Sequence, residues 1–207
     1  MSYYLSQVQL DTNNRRKLAD LTHLGRYHGW IQSCFPQVPD GTPRPRNLWR
    51  IDHVHDRDYL LLMSPEKPDI RTLEKYGVHG TARTKPYDHF INSLALNGLY
   101  RFRLVANPVH CVDDKVYPHV TIDQQKQWLI DRQARNGFRL LSFDLTSRSY
   151  KPLIHEPRKT PIKLSQAAFE GVLQITDMNA FKRMLTQGIG HERAYGMGLM
   201  TVMPLQK

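Results

Sequence analysis

The stretch Gly188-Ile-Gly-His-Glu-Arg-Ala-Tyr-Gly-Met-Gly198 holds four of the chain's twelve glycines within eleven residues. A helical pattern from Asp177 to Gln187 leads into it, and a short apolar run from Leu199 to Leu205 leads out. The order is helix, glycine loop, strand. Glycine admits positive φ and the close approach of another backbone. His191 and Arg193 sit between the glycine pairs, so the loop offers amide groups beside cationic side chains, a combination that suits a phosphate chain. A Walker loop is excluded, because no Gly-Lys-Ser/Thr ending follows and the strand–loop–helix order is reversed. A helix-to-strand turn with glycine at the C-cap accounts for the same residues. Both readings stand on the loop alone.

Working outward, Asp177 caps the helix before the loop, and Lys163 to Ile175 reads as the strand before that helix. Phe138 to Tyr150 reads as a strand or hairpin arm, preceded by a helix that starts at a Thr121–Gln124 capping box and runs to about Asn136. Leu99 to Val105 alternates apolar and polar residues and is a strand ended by Ala106-Asn-Pro108. The first half has the same element order. Tyr3 to Leu10 is a strand, and Arg15 to Phe35 a helix with Leu18, Leu21, Leu24, His28, Ile31 and Phe35 at spacings of three and four. Pro36 to Pro45 is a proline-rich loop. Trp49 to Val54 and Tyr59 to Met63 form a strand pair, and Ile70 to Tyr76 a short helix stopped at Gly77. Each half is thus a split βαβ unit. The fold class is α+β, two tandem ferredoxin-like (βαββαβ) domains over residues 1–110 and 111–207, the second carrying the glycine-rich loop.

Twenty-nine Lys and Arg against nineteen Asp and Glu give +10, with ten histidines besides. A surplus of this size favours a polyanion, most commonly nucleic acid. The first residues lack a charged region followed by an apolar core, and no run approaches the ~18 apolar residues that span a bilayer. Two cysteines, Cys34 and Cys111, without metal-ligand spacing fit a reducing cytoplasm.

Arg148, Lys151, Arg158, Lys159 and Lys163 face a single Glu156 in a segment broken by Pro152, Pro157 and Pro161. It reads as a basic arm able to lie along an RNA backbone, or else as a solvated loop. His28 is the titratable residue of most interest, since an imidazole exchanges protons near neutral pH. Its place on the apolar stripe with Leu24 and Ile31 equally describes a core histidine. His23 lies on another helix face. His53-Val-His55-Asp56 lacks further ligands at zinc spacing. No serine or cysteine nucleophile motif is present, and the carboxylates are scattered.

Leu99-Tyr-Arg-Phe-Arg-Leu-Val-Ala-Asn-Pro108, Phe169-Glu-Gly-Val-Leu173 and the glycine loop through Leu199 resemble the CasE family, the CRISPR repeat-RNA endoribonucleases of type I-E systems. Tyr4 to Val8, Tyr27-His-Gly-Trp-Ile-Gln-Ser-Cys-Phe-Pro36 and Leu48-Trp-Arg-Ile-Asp52 fit in the same order. The resemblance implies two ferredoxin-like domains and cleavage of precursor CRISPR RNA at each repeat stem-loop without metal or cofactor. It further implies retention of the 3′ hairpin within the Cascade complex, in the cytoplasm. His28 matches the family's catalytic histidine. Some relatives carry a tyrosine one helical turn earlier, where this chain has Gly25. Tyr27 is adjacent but turned by about 100° around the helix. The expected site is His28 with Tyr27 for catalysis; Arg193, His191, Lys85, Arg148, Lys151, Arg158, Lys159 and Lys163 for RNA; and Gly188, Gly190, Gly196 and Gly198 shaping the loop. The rival reading is a non-catalytic RNA-binding subunit. A small-molecule enzyme on the same fold fits the charge less well.

Overall fold

The computed structural model describes residues 2–36, 45–154 and 160–205. The chain divides into two compact units: Met1–Phe90 with Pro152–Lys163 and Ala194–Gly196, and Ile91–Lys151 with Leu164–Arg193 and Met197–Lys207.

In the first unit, β1 (Tyr4–Gln9) is followed by α1 (Arg15–Asp20), α2 (Leu24–Ser33), the hairpin β2 (Leu48–Val54) and β3 (Arg57–Ser64), α3 (Ile70–Leu73) and β4 (Arg83–Pro86). The sheet order is β2-β3-β1-β4, antiparallel throughout. The β2–β3 turn places His55 and Asp56 at φ 48° and 60°, the left-handed pair of a tight hairpin. Val8, Leu60, Leu62 and Trp49 share one face of the sheet by register and are buried, as are Leu24, Trp30 and Ile31 of α2 and Leu73 of α3.

The expected helix from Arg15 to Phe35 is two helices. Asn14 caps α1 by accepting from Arg16 and Lys17 amides, and α1 buries no side chain. Leu21 then leaves the helical region with ψ 47°. His23 N-caps α2, its Nδ1 accepting the Gly25 amide at 3.1 Å. The three-and-four spacing runs unbroken across this point, so periodicity alone could not show the break.

The chain passes from the first unit to the second within α4 (Asp88–Ser93), and in the second unit β5 (Leu99–Ala106) leads to a separate hairpin, β6 (Val109–Val112) and β7 (Lys115–Pro118). There follow α5 (Ile122–Ile130), β8 (Phe138–Leu153), β9 (Ile162–Ile175), α6 (Met178–Gln187) and β10 (Met200–Pro204). The Thr121–Gln124 capping box forms reciprocally, and Asp177 caps α6 through the Ala180 amide. The order β10-β5-β9-β8, with β5 antiparallel to both neighbours, repeats the first sheet's order when each is numbered from its own first strand. Two ferredoxin-like sheets with crossing helices are the observed architecture. Tyr100, Phe102, Leu104, Trp128, Phe138, Phe169 and Phe181 form this unit's core.

The division falls between Phe90 and Ile91 rather than near residue 110. The reason is the sheet: β5 hydrogen-bonds β9 and β10, so it opens the second unit instead of closing the first. The basic segment is also less of a loop than its prolines imply. Arg148 and Lys151 lie in β8 and Lys163 in β9, with Pro152 inside the end of β8. Arg158 and Lys159 lie outside the described residues.

Candidate active site around His28

Helix α2 carries the two residues expected to do chemistry. Leu24 and Ile31 anchor its buried face, and the same face carries His28, half-buried, one turn from each. His28 Nδ1 lies 3.0 Å from the backbone oxygen of Ala194, and its ring rests 5.3 Å from that of Tyr195, tilted by 53°. Ala194 and Tyr195 come from the glycine-rich loop, and with Gly196 they belong to the first unit.

The same carbonyl has a second donor. Trp49, on β2 and 1% exposed, gives its indole Nε1–H to Ala194 O at 2.9 Å. Gly196, at φ 80°, lies so close that a Cβ would stand 2.7 Å from the six-membered ring of Trp49. Tyr27 stacks on that indole at 5.7 Å and 19° and tilts against Trp30 at 6.5 Å. Burial, and secondarily the negative charge of Asp58, raises the Tyr27 phenol above its ordinary pKa. Its hydroxyl therefore keeps its proton near neutrality.

Gly25, where the resemblance suggests a tyrosine, leaves little room for a side chain. A Cβ there would meet the His23 ring at 2.8 Å and the Ile154 oxygen at 3.2 Å. His23 Nδ1 also lies 3.4 Å from the Ile154 amide, so the root of the basic segment is tied to the start of α2.

The glycine loop itself is not an open phosphate cradle. Gly188 caps α6 by donating to Met184 O, the Ile189 amide bonds Gly198 O at 3.0 Å, and the Gly198 amide bonds Val105 O at 2.6 Å. Gly188, Gly190, Gly196 and Gly198 all have positive φ. Arg193, expected on RNA phosphates, directs Nη1 to the carbonyls of Gln187 and Gly188 at 3.1 and 3.4 Å and so braces the helix end. His191 is exposed. So are Lys85 on the edge strand β4, Lys151 and Lys163, while exposed Arg148 donates to Val120 O. Sequence reasoning missed Trp49 and Ala194. The alternation of β2 marks Trp49 as a strand residue, but no local pattern signals a bond to a carbonyl 145 positions away.

His53 donates Nδ1–H to Asp58 at 2.8 Å, and the described residues contain no group of three or more His, Cys, Asp or Glu able to hold a metal. Among the described residues no helix is long and apolar enough to cross a membrane.

A model of the CRISPR associated protein family matches residues 3–204. The chain belongs to that family. Over 217 residues this CRISPR-associated chain is 25% identical to the CRISPR-associated endoribonuclease Cse3 of Thermus thermophilus, covering 97% of its own length and 100% of that protein. It is 28% identical over 220 residues to the CRISPR system Cascade subunit CasE of Escherichia coli strain K12, covering 98% and 100%. Its fold is like that of Thermus thermophilus Cse3 bound to an RNA representing a pre-cleavage complex, with a TM-score of 0.83 at 24% identity over 99% and 100% of the two chains. The motif resemblance to CasE thus extends along the whole CRISPR-associated chain.

Proposed function

We propose that this protein is an endoribonuclease that cuts precursor CRISPR RNA at repeat stem-loops and keeps the 3′ hairpin as a subunit of Cascade, working in the cytoplasm where such transcripts are found. The observation that carries the reading is His28 anchored on the Ala194 carbonyl, in a chain whose full-length relatives bear the names of a CRISPR endoribonuclease and a Cascade subunit.

RNA supplies its own nucleophile. The ribose 2′-oxygen attacks phosphorus in line, the P–O5′ bond breaks, and the products are a 2′,3′-cyclic phosphate and a 5′-hydroxyl. One group must take the 2′-OH proton and one must supply a proton to the 5′-oxygen. An imidazole can do either near neutral pH. The Tyr27 phenol can only donate, so it suits the leaving oxygen or a non-bridging phosphate oxygen. Lys85, Lys151, Lys163 and Arg148 are the exposed cations proposed to meet phosphates, and exposed His191 is assigned the same role. Arg158 and Lys159 share the assignment on charge alone.

Incubating the protein with its own repeat RNA in EDTA tests the reading. His28→Ala should lower the single-turnover rate by about 10²–10⁴-fold and leave RNA affinity within a few fold. Tight binding without cleavage by the wild-type protein would favour the non-catalytic subunit instead.

A further inference from the structure

We propose that Trp49 is a positioning residue which, through the Ala194 carbonyl, fixes the tautomer of His28 and makes Nε2 its proton-transfer atom. The inference rests on the reading of His28 as the proton-transfer group and adds which atom acts and what holds it.

A backbone carbonyl oxygen accepts hydrogen bonds and donates none. The 3.0 Å contact from His28 Nδ1 to Ala194 O therefore requires a proton on Nδ1. In the neutral ring the lone pair then sits on Nε2. That state is a base at Nε2; once Nε2 is protonated, the ring is an acid at the same atom. Such fixing of a histidine by the bond at its other nitrogen is how proton-transfer rings are oriented.

The carbonyl has to be held for this to work, and Ala194 lies in a glycine-rich turn. Trp49 is the group that holds it. Its own ring is immobilised, 1% exposed on β2, with Tyr27 stacked on one face and Gly196 against the six-membered ring. Its Nε1–H reaches Ala194 O at 2.9 Å. Two lone pairs on one oxygen thus take two ring N–H groups, one from the sheet and one from α2. The same indole that sets Tyr27 by stacking sets His28 by way of the carbonyl, so the two proposed proton-transfer groups share one support. Gly196 is required by this packing, since any side chain there would displace the indole as well as strain a backbone at φ 80°.

The test uses the full-length protein with selectively labelled histidine. Long-range proton–nitrogen NMR distinguishes a protonated from an unprotonated ring nitrogen, and His28→Gln identifies the His28 signals. Above its titration, wild-type His28 should show Nδ1 protonated and Nε2 bare. Trp49→Phe keeps an aromatic face for Tyr27 and removes only the N–H. It should shift the His28 population away from the Nδ1–H form and slow single-turnover cleavage of the repeat hairpin at least 10-fold, with RNA affinity within 2-fold and an intact fold by circular dichroism. An Nε2–H tautomer in the wild type overturns the proposal without any variant. So does an unchanged tautomer and rate in Trp49→Phe. If His28→Gln cleaves at the wild-type rate while the Nδ1–H form is present, the reading of His28 fails and the tautomer assignment survives.

Discussion

His23 and His28 lie on opposite terms with the backbone around them. His23 Nδ1 accepts from the amides of Gly25 and Ile154, so that nitrogen carries no proton. His28 Nδ1 faces a carbonyl, so that nitrogen must carry one. One histidine is used as a helix cap and the other as an anchored ring with a working edge. His23→Ala should therefore cost about 1 kcal/mol, the usual loss of an N-cap, or roughly 3 °C in Tm for a chain of this size. Cleavage rate per folded molecule should stay within about 3-fold, measured by single-turnover assay; a loss as large as that of His28→Ala would reverse the assignment. Tyr27→Phe keeps the stack on Trp49 and removes the donor. A rate loss of about 10-fold or more with unchanged Tm would support its role as a donor, and a wild-type rate would remove it from the chemistry.

Among the elements, β9 shows how tightly the second sheet is built. Gly171 pairs with Phe102 of β5, and a Cβ on it would lie 2.1 Å from Ser142 O and 2.6 Å from Phe143 Cβ of β8. Gly171→Ala should cost about 3 kcal/mol by forcing two strands apart, read as a Tm drop of roughly 10 °C; a drop under 2 °C would show that β8 yields freely. His119, at the foot of the β6–β7 hairpin, gives a pH test. Burial, then the charges of His110 and Arg132, lower its pKa. The unfolded imidazole takes a proton near pH 6.5 where the folded one resists, so the stability present above that value is lost as pH falls toward the folded pKa. His119→Gln should flatten the fall of Tm between about pH 7 and 5.5, and an unaltered slope would contradict this. At this scale the sequence was largely legible. Capping residues at Thr121 and Asp177 and alternation in β5 marked real boundaries, because those signals are local. The break before His23 and the placement of β5 in the second sheet were not, because a reset helix can keep its apolar spacing and strand pairing is decided by partners distant in sequence. Of the candidate site, the family resemblance singled out His28 and Tyr27, which stay proposals; the Ala194 carbonyl and the Trp49 indole that contact them were not legible, because those contacts join residues far apart in sequence.

For the whole molecule, the two units share one sheet order without a visible sequence repeat, and the +10 charge lies over both. Exposed Lys85 and Lys163 belong to the first unit and exposed Lys151 and Arg148 to the second, and each is proposed to meet phosphate. Binding of the repeat hairpin should weaken linearly in log–log salt, and each of Lys85→Ala, Lys151→Ala and Lys163→Ala should lower the slope by about one; slopes equal to wild type would remove these lysines from the phosphate path. In the proposed reaction the RNA's own 2′-oxygen is the nucleophile and the protein moves its proton. The most direct measurement is cleavage, in EDTA, of a repeat hairpin carrying a single 2′-deoxy nucleotide just 5′ of the scissile phosphate. The deoxy hairpin should bind within a few fold of the all-RNA hairpin and stay uncut, against full cutting of the all-RNA control to a cyclic phosphate; cutting of the deoxy hairpin, or loss of control cleavage in EDTA, would overturn the 2′-oxygen mechanism.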